Sequence, residues 1–319
     1  FLDGASWAGE LVLQAAELGY EALAITDHDG FRGSVQAHAH AREIGLPLVH
    51  GTEVGMPRSS VAGEAGDRDA DMTEVLEPGD PEVPVTGEGD LTRRGRVRRM
   101  HGSKPTNKAP TDHLVLLSPD PVGYAAIGRF VTRGQFRGQK DEPRYSYRDL
   151  EEAARDGNLA ALSGCWQGAV PRAAQEGDIL AALEHAARLR DLFDGRFYIE
   201  LTHHGMPGDD KRNDILADVA MRLGLETVAT NNVHYAHRHD ADLSEVLAAI
   251  GGRRSLDEHD GFRPATDLRH LRTPDEMWAR FERYPGAVER AADLGSALAF
   301  DLDLLAPELP DFPMPGSFT

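Results

Sequence analysis

Cysteine is almost absent. The single Cys165 in 319 residues rules out an intramolecular disulfide; such usage fits a reducing cytosol, so a cytoplasmic location is expected. Long apolar runs are missing too. Nothing approaches the roughly 18 uninterrupted apolar residues of a membrane span, and no charged-then-apolar leader opens the chain, so no membrane partner is expected. There is no initiator methionine. The chain starts at Phe1, "FLDGAS" reads as the inside of a loop, and a native beginning upstream is expected. Excess positive charge is also lacking: 34 Lys and Arg stand against 53 Asp and Glu, a formal net charge of −19. That excludes a surface basic all over that grips nucleic acid by itself, while a local basic channel or a basic partner domain remains compatible with it.

What is present is enough for a real core. With 40% hydrophobic and 27% charged residues, the chain has the make-up of one large domain, or one with a smaller appendage. Apolar periodicity predicts a helix from Ser6 to Gly19, a strand over Ala22–Thr26, a helix over Ser34–Ile44 closed by Gly45, and a short strand "PLVHG" leading to Glu53. Between about Met56 and Pro110 neither period survives, and this stretch reads as a disordered insertion. Its basic later part (Arg93, Arg94, Arg96, Arg98, Arg99, Lys104 and Lys108) reads first as a solvated loop and second as a nucleic-acid contact.

The alternation resumes with strand "HLVLLS" and a helix near Pro121–Arg133. Ser146 with Asp149 opens a helix that ends on Gly157. Strand "NLAALSGC", a helix over Asp178–Phe193, strand "RFYIEL", a helix over Asp210–Leu223 capped by Gly224, and strand "TVATNN" follow. About six strands alternating with helices predict a parallel α/β sheet or barrel over residues 1–240. Residues 241–319 read as helical, with a strong start signal in Thr273, Pro274 and Glu276, and close on a Pro-rich linker, "APELPDFPMPG".

Chemistry gathers at the strand ends: Asp27 and His28 after the first strand, Glu53 after the second, Cys165 after "NLAALSG", and Asn231, Asn232 and His234 after the last. In a parallel barrel such ends meet on one face. Imidazole, carboxylate and thiolate are ligand types that Zn²⁺ accepts, and the carboxylates also suit Mn²⁺. Metals sharing a bridging Glu would generate a hydroxide and clamp a phosphate during in-line attack. Each residue also has a plainer reading. Asp27 and Asp29 could cap the next turn, Cys165 could be a small buried hydrophobe, and His113 could be an edge histidine with no role. His203 and His204 in "LTHHG" could lie in a solvated loop.

Eight motifs carry a family resemblance: "FLDGAS", "LAITDHDG", "VHGTEV", "HLVLLS", "LSGCWQGAVPRA", "FYIELTHHG", "RNDILADVAMRLGLETVATNNVHY" and "HLRTPDEMWARF". In this order they resemble the polymerase and histidinol phosphatase (PHP) domain at the front of bacterial C-family DNA polymerases, the DNA polymerase III alpha subunits. "ATNNVHYA" and "RYPGAVERAADLG" are closer to the error-prone branch that works in translesion synthesis and induced mutagenesis. The resemblance implies a distorted (β/α)7 barrel with a trinuclear metal cleft, followed by a helical lead-in to an absent polymerase palm. It places Asp3, His28, Glu53, His113, Cys165 and His234 at family ligand positions for up to three Zn or Mn ions. Asn232 stands where many members have an aspartate, and the family's opening His-x-His pair is expected just before Phe1, so the site is incomplete in the chain as it stands. Mg is expected for the absent polymerase domain.

The implied partners are a DNA primer-template, deoxynucleotides, and through the longer protein a sliding clamp and other mutagenesis proteins. Within the family the domain's activity ranges from a 3′–5′ exonuclease to none, with inactive versions supporting the polymerase. Two other readings are a stand-alone phosphoesterase acting on a small phosphate monoester and a non-enzymatic scaffold. Arg32 just beyond "DHDG" and Arg172 after "GAVP" are the candidates for holding a substrate phosphate.

Overall fold

The computed structural model describes residues 4–58, 110–140, 142–252, 255–256 and 266–302. Asp3, the bulk of the 56–110 insertion with the seven basic residues of its later part, and the Pro-rich end lie outside the described residues. The elements are α1 (Ala8–Glu17), β1 (Leu23–Ile25), α2 (Ser34–Ile44), β2 (Leu48–Pro57), β3 (Thr111–Leu117), α3 (Pro121–Arg137), α4 (Tyr147–Gly157) and β4 (Ala160–Leu162). There follow α5 (Ala169–Glu176), α6 (Ile179–Leu192), β5 (Phe197–Thr202), α7 (Asp209–Leu223), β6 (Thr227–Thr230), α8 (Ala241–Gly252), α9 (Pro274–Phe281) and α10 (Ala287–Leu298). Among the described residues no helix is long and apolar enough to cross a membrane.

Local signals placed the helices well. The Ser146 hydroxyl accepts from the Asp149 amide at the start of α4, and the Thr273 hydroxyl accepts from the Glu276 amide at the start of α9. Ser6 is not the cap of α1. That helix starts after Trp7, whose amide donates to the Glu10 carboxylate at 2.9 Å, while the Ser6 hydroxyl accepts from the Ala236 amide at 2.9 Å. Helix α5 follows "SGCWQG" unforeseen, since eight residues give too short a window for a periodic signal.

The six strands form one curled α/β sheet, a half-barrel, in the order β1-β2-β3-β4-β5-β6. It is not all parallel: β3 runs antiparallel to both β2 and β4, while β1–β2, β4–β5 and β5–β6 are parallel. The β2–β3 ladder extends from Gly51↔Leu117 out to Pro57↔Thr111, so Met56 and Pro57 are strand residues and not the start of the insertion. A parallel return would need a crossover that covers the sheet, commonly a helix; the segment after β2 has no helical period in its sequence, and the chain comes back antiparallel.

Period-2 alternation sorts the strand side chains onto two faces. Val54, Met56, Leu114, Leu116, Ile199, Leu201 and Ala229 pack outward into the main core, which α3 to α7 and α9 cover with Phe130, Leu150, Leu216 and Phe281. Val49, Val115, Leu117, Ala160 and Leu162 face the other way and meet Leu298 of α10. The Phe300 amide, just past α10, donates to the Leu48 carbonyl at the amino end of β2. The inner face is therefore closed by apolar packing towards that end, and its polar residues cluster near the other.

Candidate metal centre

Glu53 shares the inner face of β2 with Val49, two steps of the pleat away, and His113 shares that of β3 with Val115 and Leu117. Because β3 is antiparallel, its beginning lies beside the end of β2. His113, an edge histidine by strand position alone, thereby meets Glu53: its Nδ1 is in direct contact with Glu53 Oε1. His28 arrives from the loop after β1. That loop pairs with β2 beyond the regular ladder, the Asp29 amide donating to the Glu53 carbonyl at 2.8 Å and the Glu53 amide to the Asp27 carbonyl at 3.1 Å. The Thr52 hydroxyl ties it further, donating to the Asp27 carbonyl at 2.8 Å and accepting from the Gly30 amide at 3.1 Å. Asp27 does cap the next turn, its carboxylate accepting from the Gly33 amide. The turn so fixed sets His28 Nδ1 3.3 Å from the same Glu53 oxygen. The three ligand atoms lie within 4.8 Å of one another, with Glu53 buried and His28 open to solvent.

Cys165 extends the cluster, its Sγ lying 3.6 Å from His113 Nδ1. Burial, and after it the charges of Glu53 and Glu200, push the thiol well above its ordinary pKa. Alone it is a neutral thiol; beside a divalent cation it is a ligand type that loses its proton. A buried carboxylate between two imidazoles with a thiol alongside is a mixed N, O and S donor set that fits Zn²⁺, and the residues present are compatible with such an ion.

The remaining candidates are placed differently. His234 does not join the three-residue cluster, and its Nε2 faces Arg269 Nη1 at 3.2 Å. Asn232 occupies the left-handed turn before it, with φ +40. Arg32 is exposed and donates to the His28 carbonyl at 2.9 Å. Arg172 forks onto Asp112, with Nε–Oδ1 at 3.0 Å and Nη2–Oδ2 at 3.2 Å. His203 and His204 are both buried, so the solvated loop is corrected. His204 Nε2 donates to the Asn231 carbonyl at 2.8 Å, and burial holds its pKa down at about 4, which keeps the ring neutral. His203 Nε2 lies 3.3 Å from Asp210 in the first turn of α7.

Sequence reasoning missed two residues. Glu200 lies on the inner face of β5 next to Thr230, whose hydroxyl donates to Glu200 Oε1, while among the described residues Oε2 is buried without a hydrogen-bond partner. The period of "FYIEL" could have flagged a carboxylate pointing inward. Arg269, beyond β6 and far from any strand end, carried no signal at all.

The family model for the PHP domain matches residues 1–204. The chain belongs to the PHP domain family. The error-prone DNA polymerase of Mycobacterium bovis is 37% identical over the whole of this PHP chain, which covers 26% of that protein. The error-prone DNA polymerase of Nocardia farcinica is 37% identical over 99% of the chain and 28% of its own length. The DNA polymerase III subunit alpha of Thermus aquaticus is 30% identical over 100% of the chain and 24% of its length. The PHP chain thus spans about a quarter of these curated relatives and is homologous to the N-terminal PHP region of error-prone DNA polymerases. His28, Glu53, His113, Cys165 and Glu200 fall within the matched residues; Asn232, His234 and Arg269 lie beyond them.

Glu200 gives this PHP domain a pH signature. Burial raises its pKa from 4.5 to about 7. The folded state then holds a proton that the unfolded state releases, so stability falls as pH rises from about 4.5 through about 7 and the loss is complete above. With chelator present, Glu200→Gln should flatten this dependence, and the variant should gain on the order of 3 kcal/mol over wild type between pH 4 and pH 8. Parallel stability curves for the two proteins in urea would show that Glu200 is not the group responsible.

Proposed function

We propose that this chain is the PHP region of an error-prone DNA polymerase and that its cleft performs metal-dependent phosphoester hydrolysis, trimming 3′ ends of DNA. The convergence of His28, Glu53 and His113 from three separate segments, with Cys165 adjacent, supports this reading above any other single observation. Capping or packing would not bring two imidazoles onto one buried carboxylate oxygen. In this proposal the curled sheet is the larger part of the distorted (β/α)7 barrel. In the longer protein it accompanies the Mg-dependent palm that extends a primer, with DNA primer-template and deoxynucleotides as substrates and a sliding clamp and other mutagenesis proteins as partners, in the cytoplasm.

His28, Glu53, His113 and Cys165 would hold the cation, with Asp3 and His234 completing the set that the resemblance implies. When bound, a divalent ion supplies polarisation of the phosphoryl oxygen and a more acidic water. The chain's own residues prepare the cleft for an anion. The Glu53 backbone is held by Asp27 and Asp29, and its buried carboxylate meets both imidazoles. Glu200, protonated through part of the neutral range, keeps a second full negative charge from accumulating close to Glu53. The neutral ring of His204 is anchored on Asn231, the residue before the Asn232 turn.

The test is degradation of a primer with a mismatched 3′ end by the full polymerase without deoxynucleotides, with Mn or Zn and with chelator. Expected is shortening from the 3′ end that chelation stops and His28→Ala with Glu53→Ala removes. Intact primer under every metal condition, or shortening indifferent to both substitutions, would sink the hydrolytic reading. A second reading, a brace for the polymerase, is favoured by Asn232: a neutral amide holds a divalent cation less strongly than a carboxylate. Lesion bypass by the full polymerase that is undiminished in the double variant would select it.

A further inference from the structure

Arg269 stands at the edge of the same cleft. Its backbone is fixed: the Arg269 carbonyl accepts from the His234 amide at 2.8 Å, its amide donates to the Tyr235 hydroxyl at 3.3 Å, and the next residue forms a parallel bridge, Tyr235↔His270. Its half-buried side chain makes one polar contact among the described residues, to His234 Nε2 at 3.2 Å, and no carboxylate pairs with it. Arg172, by contrast, lays its Nε and Nη2 edge on Asp112 and has Nη1 3.7 Å from Glu176, and Arg32 turns back onto the His28 carbonyl. The Asn231 side-chain amide donates to the Leu268 carbonyl at 3.1 Å and to the His270 carbonyl, which fixes Arg269 just beyond the carboxyl end of β6, the sheet edge at which β4 ends before Cys165.

A guanidinium has five N–H donors, and among the described residues four of these have no acceptor. Residues suited to a divalent cation lie at the same edge of the sheet, and two neighbouring cations repel unless an anion lies between them. The ligand that answers both is a phosphoryl group, with oxygens to spare for the cation and a flat edge that an arginine grips with two parallel hydrogen bonds. We propose that Arg269 anchors the phosphoryl group of the substrate, the role the sequence had suggested for Arg32 or Arg172. This deepens the phosphoesterase reading and rests on it for the identity of the substrate. As a positioning contact, Arg269 acts on binding: it is held by residues 234–235 from outside the 1–204 match and is not itself a metal ligand.

The test uses the metal-loaded chain as wild type, Arg269→Gln and Arg269→Lys. Inorganic phosphate affinity is read by titration calorimetry, together with metal content, thermal midpoint and the kinetics of a simple aryl phosphodiester. Expected for Arg269→Gln is phosphate binding weakened about 10- to 100-fold, the loss of a charge-assisted hydrogen bond or two, with metal content and midpoint unchanged. KM should rise more than kcat falls, and Arg269→Lys should recover part of the affinity. Phosphate affinity equal in wild type and Arg269→Gln would overturn the inference, as would a wild type that binds no phosphate with metal present. A wild type that binds phosphate through Arg269 but hydrolyses no ester would sustain the anchor and remove the phosphoesterase reading.

Discussion

Replacing Glu53 with glutamine is expected to cost the protein its metal, with affinity falling by more than the roughly 10- to 100-fold that loss of an outer-shell partner brings. The amide has nearly the volume of the carboxylate, so the packing around this buried side chain is kept while its charge goes. Both imidazoles converge on one Glu53 oxygen, so the substitution removes the common centre of the cluster, not one of several equivalent ligands. His28→Ala should be milder, because that ring is the most solvent-open of the three. Elemental analysis after dialysis against dilute Zn or Mn, with circular dichroism as the control for folding, would measure this. Full metal content in a folded Glu53→Gln protein would mean that the ion, if any, is held elsewhere.

The second large effect concerns Gly164, in the "SGC" turn that delivers Cys165. Its backbone is left-handed, with φ +83, and a Cβ placed there would sit 2.5 Å from the His113 carbonyl oxygen. Gly164→Ala therefore carries both backbone strain and a clash with a backbone atom that a β-strand holds in place. The combined cost is on the order of 3 kcal/mol, a fall of about 5 °C in the unfolding midpoint for a domain of this size. Gly177 makes the control: its φ is +82, but nothing lies within 4 Å of a Cβ there. Gly177→Ala should cost only the strain, about 1 kcal/mol. Relief of the clash at Gly164 must push on His113 itself, so that variant should also bind metal more weakly, whereas Gly177→Ala should not. Equal midpoints for the two variants would show that the approach of Gly164 to His113 does not constrain the site.

The elements were legible in the sequence wherever their signals are local. The bounds of α2, Ser34–Ile44 with Gly45 as its stop, were read as they stand, as were the starts of α4 and α9. A cap is a hydrogen bond between residues three apart, and a helix or strand period repeats within one window, so both can be read from neighbours in the chain. The pairing of His28 with Glu53 was half legible for the same reason, since each closes an apolar run and parallel strands bring such ends together.

What only the tertiary structure decided depends on strand direction and on which face looks inward. His113 begins its strand, and nothing local tells whether that strand runs with or against its neighbour; the antiparallel return of β3 is what moves His113 from an unused edge to the Glu53 carboxylate. Glu200 and Arg269 show the same limit. One acquires its raised pKa from burial that the whole curled sheet creates, and the other meets His234 from a segment 35 residues further along the chain. The sequence by itself determined the ligand types and the elements that carry them, because capping, periodicity and donor chemistry belong to short stretches of chain. Their meeting point came from long-range pairing, which no short stretch encodes.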